Sequence, residues 1–159
     1  MSAPQIDTNQ PRNIYLVIQI LILALFYILY SFLKVDNPLI FVAVSYLVIV
    51  ISLQLILTFH YKKGFSYYKR EEYTQAIPHF KKSCDFFLKH RWIDNYRNII
   101  LTSASPSSYL ELSLINLADC YEHLEDNENA KKLYLQALSL FPGSEQAKAA
   151  LNIMNVMKK

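Results

Sequence analysis

Two uncharged runs, Ile14 to Leu33 and Leu39 to Phe59, constrain this chain more than any other feature. They are 20 and 21 residues long. At ~1.5 Å of rise per residue, either run as a helix matches the ~30 Å hydrocarbon core of a bilayer. A charged side chain at the bilayer centre costs ~2.5–3.5 kcal/mol on insertion scales, so its absence from both runs is informative. Helices that stay apolar on every side for this length are uncommon in soluble proteins. The reading is two transmembrane helices, 14–33 and 39–59, forming a hairpin. The link Lys34-Val35-Asp36-Asn37-Pro38 is short. Asp36 or Asn37 can cap the second helix, and Pro38 suits its first turn, where the missing N–H costs nothing. Residues 1–13 are polar, contain Pro4 and Pro11, and read as a disordered tail. A cleaved signal peptide fits the first run poorly. Arg12 is the only basic residue before it, it exceeds the usual ~7–15 apolar residues, and no small-x-small cleavage site follows.

Basic residues orient the hairpin. Arg12 precedes it, Lys34 lies in the link, and Lys62, Lys63, Lys69 and Arg70 follow it. By the positive-inside rule both termini face the cytoplasm, which makes an integral, two-pass membrane protein. Gln19 and Gln54 are the deepest polar residues of the two runs. An interhelical hydrogen bond explains them, whereas a proton or ion path would call for ionisable groups.

Residues 60–159 have the balance of a separate soluble domain. From His60 to Arg97 there are nine Lys or Arg against four Asp or Glu; from Asn98 to Lys159 there are five against seven. The basic half is the one that leaves the membrane, so anionic headgroups account for it. No basic patch with interleaved aromatics in a known nucleic-acid fold appears, so nucleic acid is not an expected partner. Cys84 and Cys120 sit at apolar helical positions without a CxxC or Cys/His cluster, and read as buried thiols rather than metal or redox ligands.

Leu117 to Pro142 reads LADCYEHLEDNENAKKLYLQALSLFP: two helical patterns about a polar break at Glu125 to Asn129. Small residues (Ala118, Ala130, Ala137) stand where two helices would cross closely. Leu117, Tyr121, Leu124, Leu133, Tyr134 and Leu138 fill the space between, and Pro142 stops the second helix. This resembles a tetratricopeptide repeat, a helix-turn-helix unit of ~34 residues. Gly64, Tyr67, Tyr73, Ala76 and Phe80 repeat the pattern. Aligning Ala76 with Ala130 also aligns Gly64 with Ala118, Tyr67 with Tyr121, Phe80 with Tyr134 and Ser83 with Ala137. The copies lie at about 57–90 and 111–144. Their offset is 54 residues rather than ~34, so about 20 residues, roughly Arg91 to Leu110, are inserted. The first copy is weaker: His60 and Lys63 stand against Leu114 and Leu117, and Leu88 replaces the terminal proline.

The two apolar runs and the resemblance together give the expected fold, which is all-α: a transmembrane hairpin followed by a short repeat domain with a C-terminal cap helix. With no Pro or Gly before Lys63, the second span is expected to run on past Gly64 to about Arg70. The next helix is expected from Thr74 to about Leu101, on a stripe of Cys84, Leu88, Trp92, Tyr96, Ile99 and Ile100. Pro78 falls in its first turn or so. Thr102 to Ser107 reads as a loop, and Ser108 with Glu111 as a capping box that opens the second copy at 109–141. Ser144 would cap a last helix, 144–157, with Ala147, Ala150, Leu151, Met154 and Val156 or Met157 on its apolar face.

Repeats of this family bind peptide segments in a groove lined by their first helices. The positions that resemblance marks are Tyr61, Phe65, Tyr68 and Lys69 in the first copy, and Leu112, Ile115, Asp119, Glu122 and His123 in the second. They would hold a partner protein or pack against the insert or the hairpin. Members that capture a chaperone's C-terminal carboxylate use Lys, Asn and Arg there. Tyr61, Phe65 and Asp119 depart from that pattern and argue against such a partner. Arg91, Trp92, Tyr96 and Arg97 suit headgroup depth, where the insert would return; the competing reading packs Trp92, Tyr96 and Ile99 under the second copy. His123 lies near Asp119 and Glu122, but a solvated helix face explains them. No phosphate loop, HExxH or nucleophile elbow occurs, so no enzyme, cofactor or metal is expected. The functional expectation is an adaptor at the cytoplasmic membrane surface. The alternative is an accessory subunit held in a larger complex through its hairpin. Two repeats are fewer than the ~3 usually needed for stability, so residues 60–159 alone are expected to be marginal or to self-associate.

Overall fold

The computed structural model of the protein describes residues 12–101 and 107–156, and regular structure among them is entirely helical. The tail 1–13 lies outside the described residues except for Arg12 and Asn13, and the loop Thr102 to Ser107 except for Ser107. The helices are α1 (Arg12–Phe32), α2 (Pro38–Leu57), α3 (Phe59–Tyr68), α4 (Tyr73–Lys89), α5 (Arg91–Asn95), α6 (Arg97–Ile100), α7 (Tyr109–His123), α8 (Asn127–Leu140) and α9 (Glu145–Val156). They fall into two compact units. One holds α1, α2 and α6; the other holds α3, α4, α5, α7, α8 and α9.

In the hairpin unit α1 ends at a left-handed residue, Lys34, with φ of 52°. Val35 N–H bonds the Tyr30 carbonyl at 3.2 Å and Lys34 N–H the Ser31 carbonyl at 3.1 Å. This is a Schellman ending, which satisfies carbonyls that the helix leaves open. Tyr30 then meets α2: its hydroxyl and Ser45 Oγ are 2.7 Å apart, and its ring centroid lies 5.9 Å from that of Phe41. Val42 is the one buried residue of α2. Leu39, Ile40, Val44, Leu47, Val48 and Ile56 are exposed, as are Leu16, Ile20, Leu25 and Ile28 on α1. Among the described residues one helix, α2, is long and apolar enough to cross a membrane; the described apolar stretch of α1, Leu16–Phe32, is shorter. So one of the two expected spans meets that measure.

The second span does not run on past Gly64. Thr58 interrupts it with φ −100° and ψ 7°, and α3 starts at Phe59. Thr58 is itself fully buried.

In the repeat unit neighbours pack in order: α3 on α4, α4 on α7, α7 on α8 and α8 on α9. The two expected copies are legible in backbone detail. Helix α3 ends with Glu72 N–H on the Tyr67 carbonyl and Glu71 N–H on the Tyr68 carbonyl. Helix α7 ends with Asp126 N–H on the Tyr121 carbonyl and Glu125 N–H on the Glu122 carbonyl. Glu71 and Glu125 both lie in the left-handed region, at φ 60° and 61°. Each bond in one copy recurs 54 residues on, the offset that the side-chain alignment gave.

Close crossing follows from the aligned small residues. Ala76, Ala118, Ala130 and Ala137 are fully buried. At Gly64 an added Cβ would stand 3.0 Å from Phe80 Cδ1 and 3.2 Å from His79 Cβ. Ser83, standing where the second copy has Ala137, uses its hydroxyl instead: its Oγ is 2.7 Å from Ser113 Oγ on α7. Ser113 Oγ in turn donates to the Tyr109 carbonyl at 2.6 Å. A buried hydroxyl pair needs such partners, because leaving one unpaired costs ~1–3 kcal/mol.

The expected long helix to Leu101 is broken. α4 stops at Lys89; His90 has φ −118° and ψ 50°, and its N–H closes on the Phe86 carbonyl at 2.9 Å. Phe87, Ile93 and Leu101 are buried, while Trp92 and Tyr96 of the proposed stripe are 57% and 46% exposed. The reason is Asp94. Its carboxylate accepts from Tyr109 N–H at 2.9 Å and Leu110 N–H at 3.0 Å, the first free donors of α7. Ser108 Oγ accepts from Glu111 N–H at 3.0 Å, as the capping-box reading expected of its serine. A straight α4 would carry Asp94 past that helix end. Helix α4 also begins at Tyr73, which places Pro78 in its second turn.

Asp126 caps α8, accepting from Asn129 N–H at 3.2 Å. Helix α8 ends at Leu140, just before the Phe141-Pro142 step, where the proline disfavours helical backbone. The final helix buries Ala147, Leu151 and Met154 as expected, but leaves Ala150 half-buried and turns Val156 out to the surface. Ser144 departs from expectation. Its Oγ is buried with no hydrogen-bond partner among the described residues, so it does not cap α9. Met157 lies outside the described residues.

Candidate partner groove

The first helices of the two copies, α3 and α7, pack side by side and build one aromatic face. Tyr61, Phe65 and Tyr68 recur at helical spacing along α3. Their rings form a ladder: Tyr61 to Phe65 is 6.0 Å between centroids with planes 11° apart, and Phe65 to Tyr68 is 6.1 Å at 9°. Lys69 folds back over it, its Nζ 4.8 Å from the Phe65 centroid. At the Tyr61 end, the ladder meets Tyr109 of α7 edge-on at 5.4 Å, and Tyr109 stacks on Phe87 at 5.5 Å. Burial raises the Tyr61 hydroxyl above its ordinary pKa; a hydrogen bond with Asn116 opposes this and Tyr109 adds to it.

At the other end polar chemistry takes over. Tyr68 Oη donates to Asp119 Oδ2. Burial is the main cause that pushes the Tyr68 hydroxyl far above its usual pKa, and the Asp119 carboxylate reinforces it. The same Oδ2 lies 4.0 Å from His123 Nε2. The His123 ring is sandwiched flat on Tyr73, with centroids 4.3 Å apart and planes within 6°. Tyr73 stands edge-on to Tyr68 at 5.7 Å. Tyr68, Tyr73, Asp119 and His123 thus interlock α3, the start of α4 and the end of α7.

Of the nine groove positions marked in the sequence, Tyr61, Phe65, Tyr68, Lys69, Asp119 and His123 are brought together. Glu122 faces the neighbouring helix instead: its Oε2 accepts from Tyr134 Oη on α8 at 3.0 Å. Leu112 and Ile115 are half-buried on α7. Tyr73, Tyr109 and Asn116 were not marked. Tyr73 is legible only as part of the first copy's repeat pattern and Asn116 carries no signal, because each needs the partner helix to give it a role in this face. Among the described residues no group of three His, Cys, Asp or Glu side chains could hold a metal ion. Both cysteines are buried and free. Burial pushes the Cys84 and Cys120 thiols up to about 12, with Asp85 and Asp119 contributing to the first and second respectively.

The four residues marked for a membrane surface are divided between the two units. Arg91 and Trp92 belong to the repeat unit, and Tyr96 and Arg97 to the hairpin unit. Arg97 is only 6% exposed, so its cation does not face outward as expected.

Among known protein families the tetratricopeptide repeat matches residues 112–144, which is the second copy. A repeat of this kind suggests protein–protein interaction in general. No curated protein and no solved structure gives a match.

Proposed function

We propose that the protein is a membrane-anchored adaptor whose α3–α7 face holds a segment of a partner protein at the cytoplasmic membrane surface. The repeat at 112–144 supports the binding role, and the aromatic ladder of Tyr61, Phe65 and Tyr68 supplies the surface for it. Rigid, amphipathic tyrosines give contact area at low entropic cost, and aromatics are enriched in interface cores. Apolar exposure on α1 and α2 supports the anchor. Contiguous apolar surface on that scale needs a cover, and a bilayer is the cover that two antiparallel apolar helices fit. Lys62, Lys63, Lys69 and Arg70 after the second helix, against Lys34 in the link, support the cytoplasmic assignment.

One observation favours the alternative, an accessory subunit held through its hairpin. Tyr68, Asp119, His123 and Tyr73 already satisfy one another, which a purely structural face would also do. Photo-cross-linking of the full chain in native membranes separates the readings. A cross-linkable residue at Phe65 or Leu112 captures the partner if the groove binds it. Products arising only from hairpin positions such as Leu25 or Val44 would sink the adaptor reading in favour of the subunit.

A further inference from the structure

Part of the long insert belongs to the hairpin unit. Helix α6 packs on α1 in the hairpin unit. Gln54 Nε2 donates to the Leu101 carbonyl at 2.5 Å, at the residue that closes α6. Gln54 stands three residues before the end of α2, or ~4.5 Å along the helix axis. Tyr30 meets Phe41 and Ser45, so α1 and α2 run antiparallel, and the start of α1 lies beside the end of α2. The segment is therefore seated at the open end of the hairpin, where the chain would enter and leave a bilayer.

We propose that Tyr96–Leu101 lies in the headgroup layer of the bilayer, docked on the open end of the hairpin, with the Tyr96 ring as its contact with lipid. This rests on the membrane reading of α1 and α2. Irregular backbone is tolerated at membrane depth only where protein or water satisfies it. Leu101 meets that condition, being fully buried with its carbonyl on Gln54. A tyrosine suits the boundary because its ring is apolar and its hydroxyl is wet. Tyr96 is half exposed, whereas Arg97 is buried, so the contact is an aromatic one with the boundary layer rather than a cation on anionic headgroups. The insert then has a task that a repeat array does not need. It leaves the repeat unit after Asn95 to touch the surface beside the hairpin and returns to cap off at α7.

The test uses the full chain in phosphatidylcholine vesicles with Trp92→Phe, so that Tyr96→Trp is the only fluorophore of its kind. Tyr96 is half exposed, which leaves room for the larger ring. A second chain carries Leu47→Trp, at the middle of α2, in place of Tyr96→Trp. The proposal expects Tyr96→Trp to be quenched several-fold more by a headgroup nitroxide than by one at acyl carbon 12, and to be sheltered from iodide. Leu47→Trp should show the opposite lipid preference. Full iodide quenching of Tyr96→Trp, or its preference for the deep nitroxide, with Leu47→Trp still deep, overturns the proposal alone. Failure of both nitroxides to quench Leu47→Trp overturns the membrane reading and the proposal with it.

Discussion

Glu71 and Glu125 hold the two copies in the same backbone shape at a steric cost. Both are non-glycine residues in the left-handed region, which for an L-residue costs about 1–2 kcal/mol. Their aligned hydrogen bonds show that the ending is wanted even though glycine is absent. Glu125→Gly is expected to stabilise the chain by about 0.5–1 kcal/mol, because the lost strain exceeds the entropy glycine adds. Chemical denaturation of the full chain in detergent checks this; a lower midpoint would count against the Schellman assignment. A second residue-scale effect lies at His60 and His79, whose ring centroids are 5.8 Å apart. Both Nδ1 atoms are buried with no hydrogen-bond partner among the described residues. Burial lowers both pKa values first; Lys82 and Lys63 lower His60 further, and Lys63, His60 and Lys82 lower His79. The folded state therefore holds fewer protons than the unfolded one below the ordinary value of 6.5. Their contribution is complete above that value and is lost as pH falls through the folded pKa values. Melting temperature should drop between pH 7.5 and 5.5, and His60→Gln with His79→Gln should flatten that slope; an unchanged slope rules the pair out.

Helix identity was largely legible in the sequence, and helix interruption was not. Alanines at 76, 118, 130 and 137 marked the crossings correctly because the spacing of small residues is local information. Two predicted continuous helices, one through Thr58 and one from Thr74 to Leu101, are broken without Pro or Gly at the break. In the second, α4 gives way to α5 where Asp94 reaches the start of α7, and no periodicity along one helix records a demand made by another. The groove shows the same division. Tyr61, Phe65 and Tyr68 follow from spacing along α3, whereas Tyr73 becomes part of the face only through His123. Asp94 gives the sharpest test at this scale. Hydrogen bonds to a charged, buried group contribute about 1.5–3 kcal/mol each. Asp94→Ala is expected to destabilise the repeat unit by about 2–3 kcal/mol in denaturant unfolding and to speed hydrogen exchange at Tyr109 and Leu110. A loss below about 0.5 kcal/mol would show that Ser108 alone caps α7.

Taken whole, the molecule joins an apolar hairpin unit to a two-copy repeat unit, and the insert belongs to both. The first copy, which the family comparison leaves unmatched, still shares with the second its helix ending, its small-residue crossing and its offset. The central claim is that the hairpin crosses a membrane twice and leaves the groove on the cytoplasmic side. Thiol labelling in intact cells tests it directly, with a membrane-impermeant maleimide and single cysteines at Asp36 and Gln136. Native Cys84 and Cys120 are buried with thiols raised to about 12, so they stay silent while the protein is folded. The account predicts that Asp36→Cys is labelled from outside and Gln136→Cys only after the cells are opened. Labelling of both from the same side would contradict it.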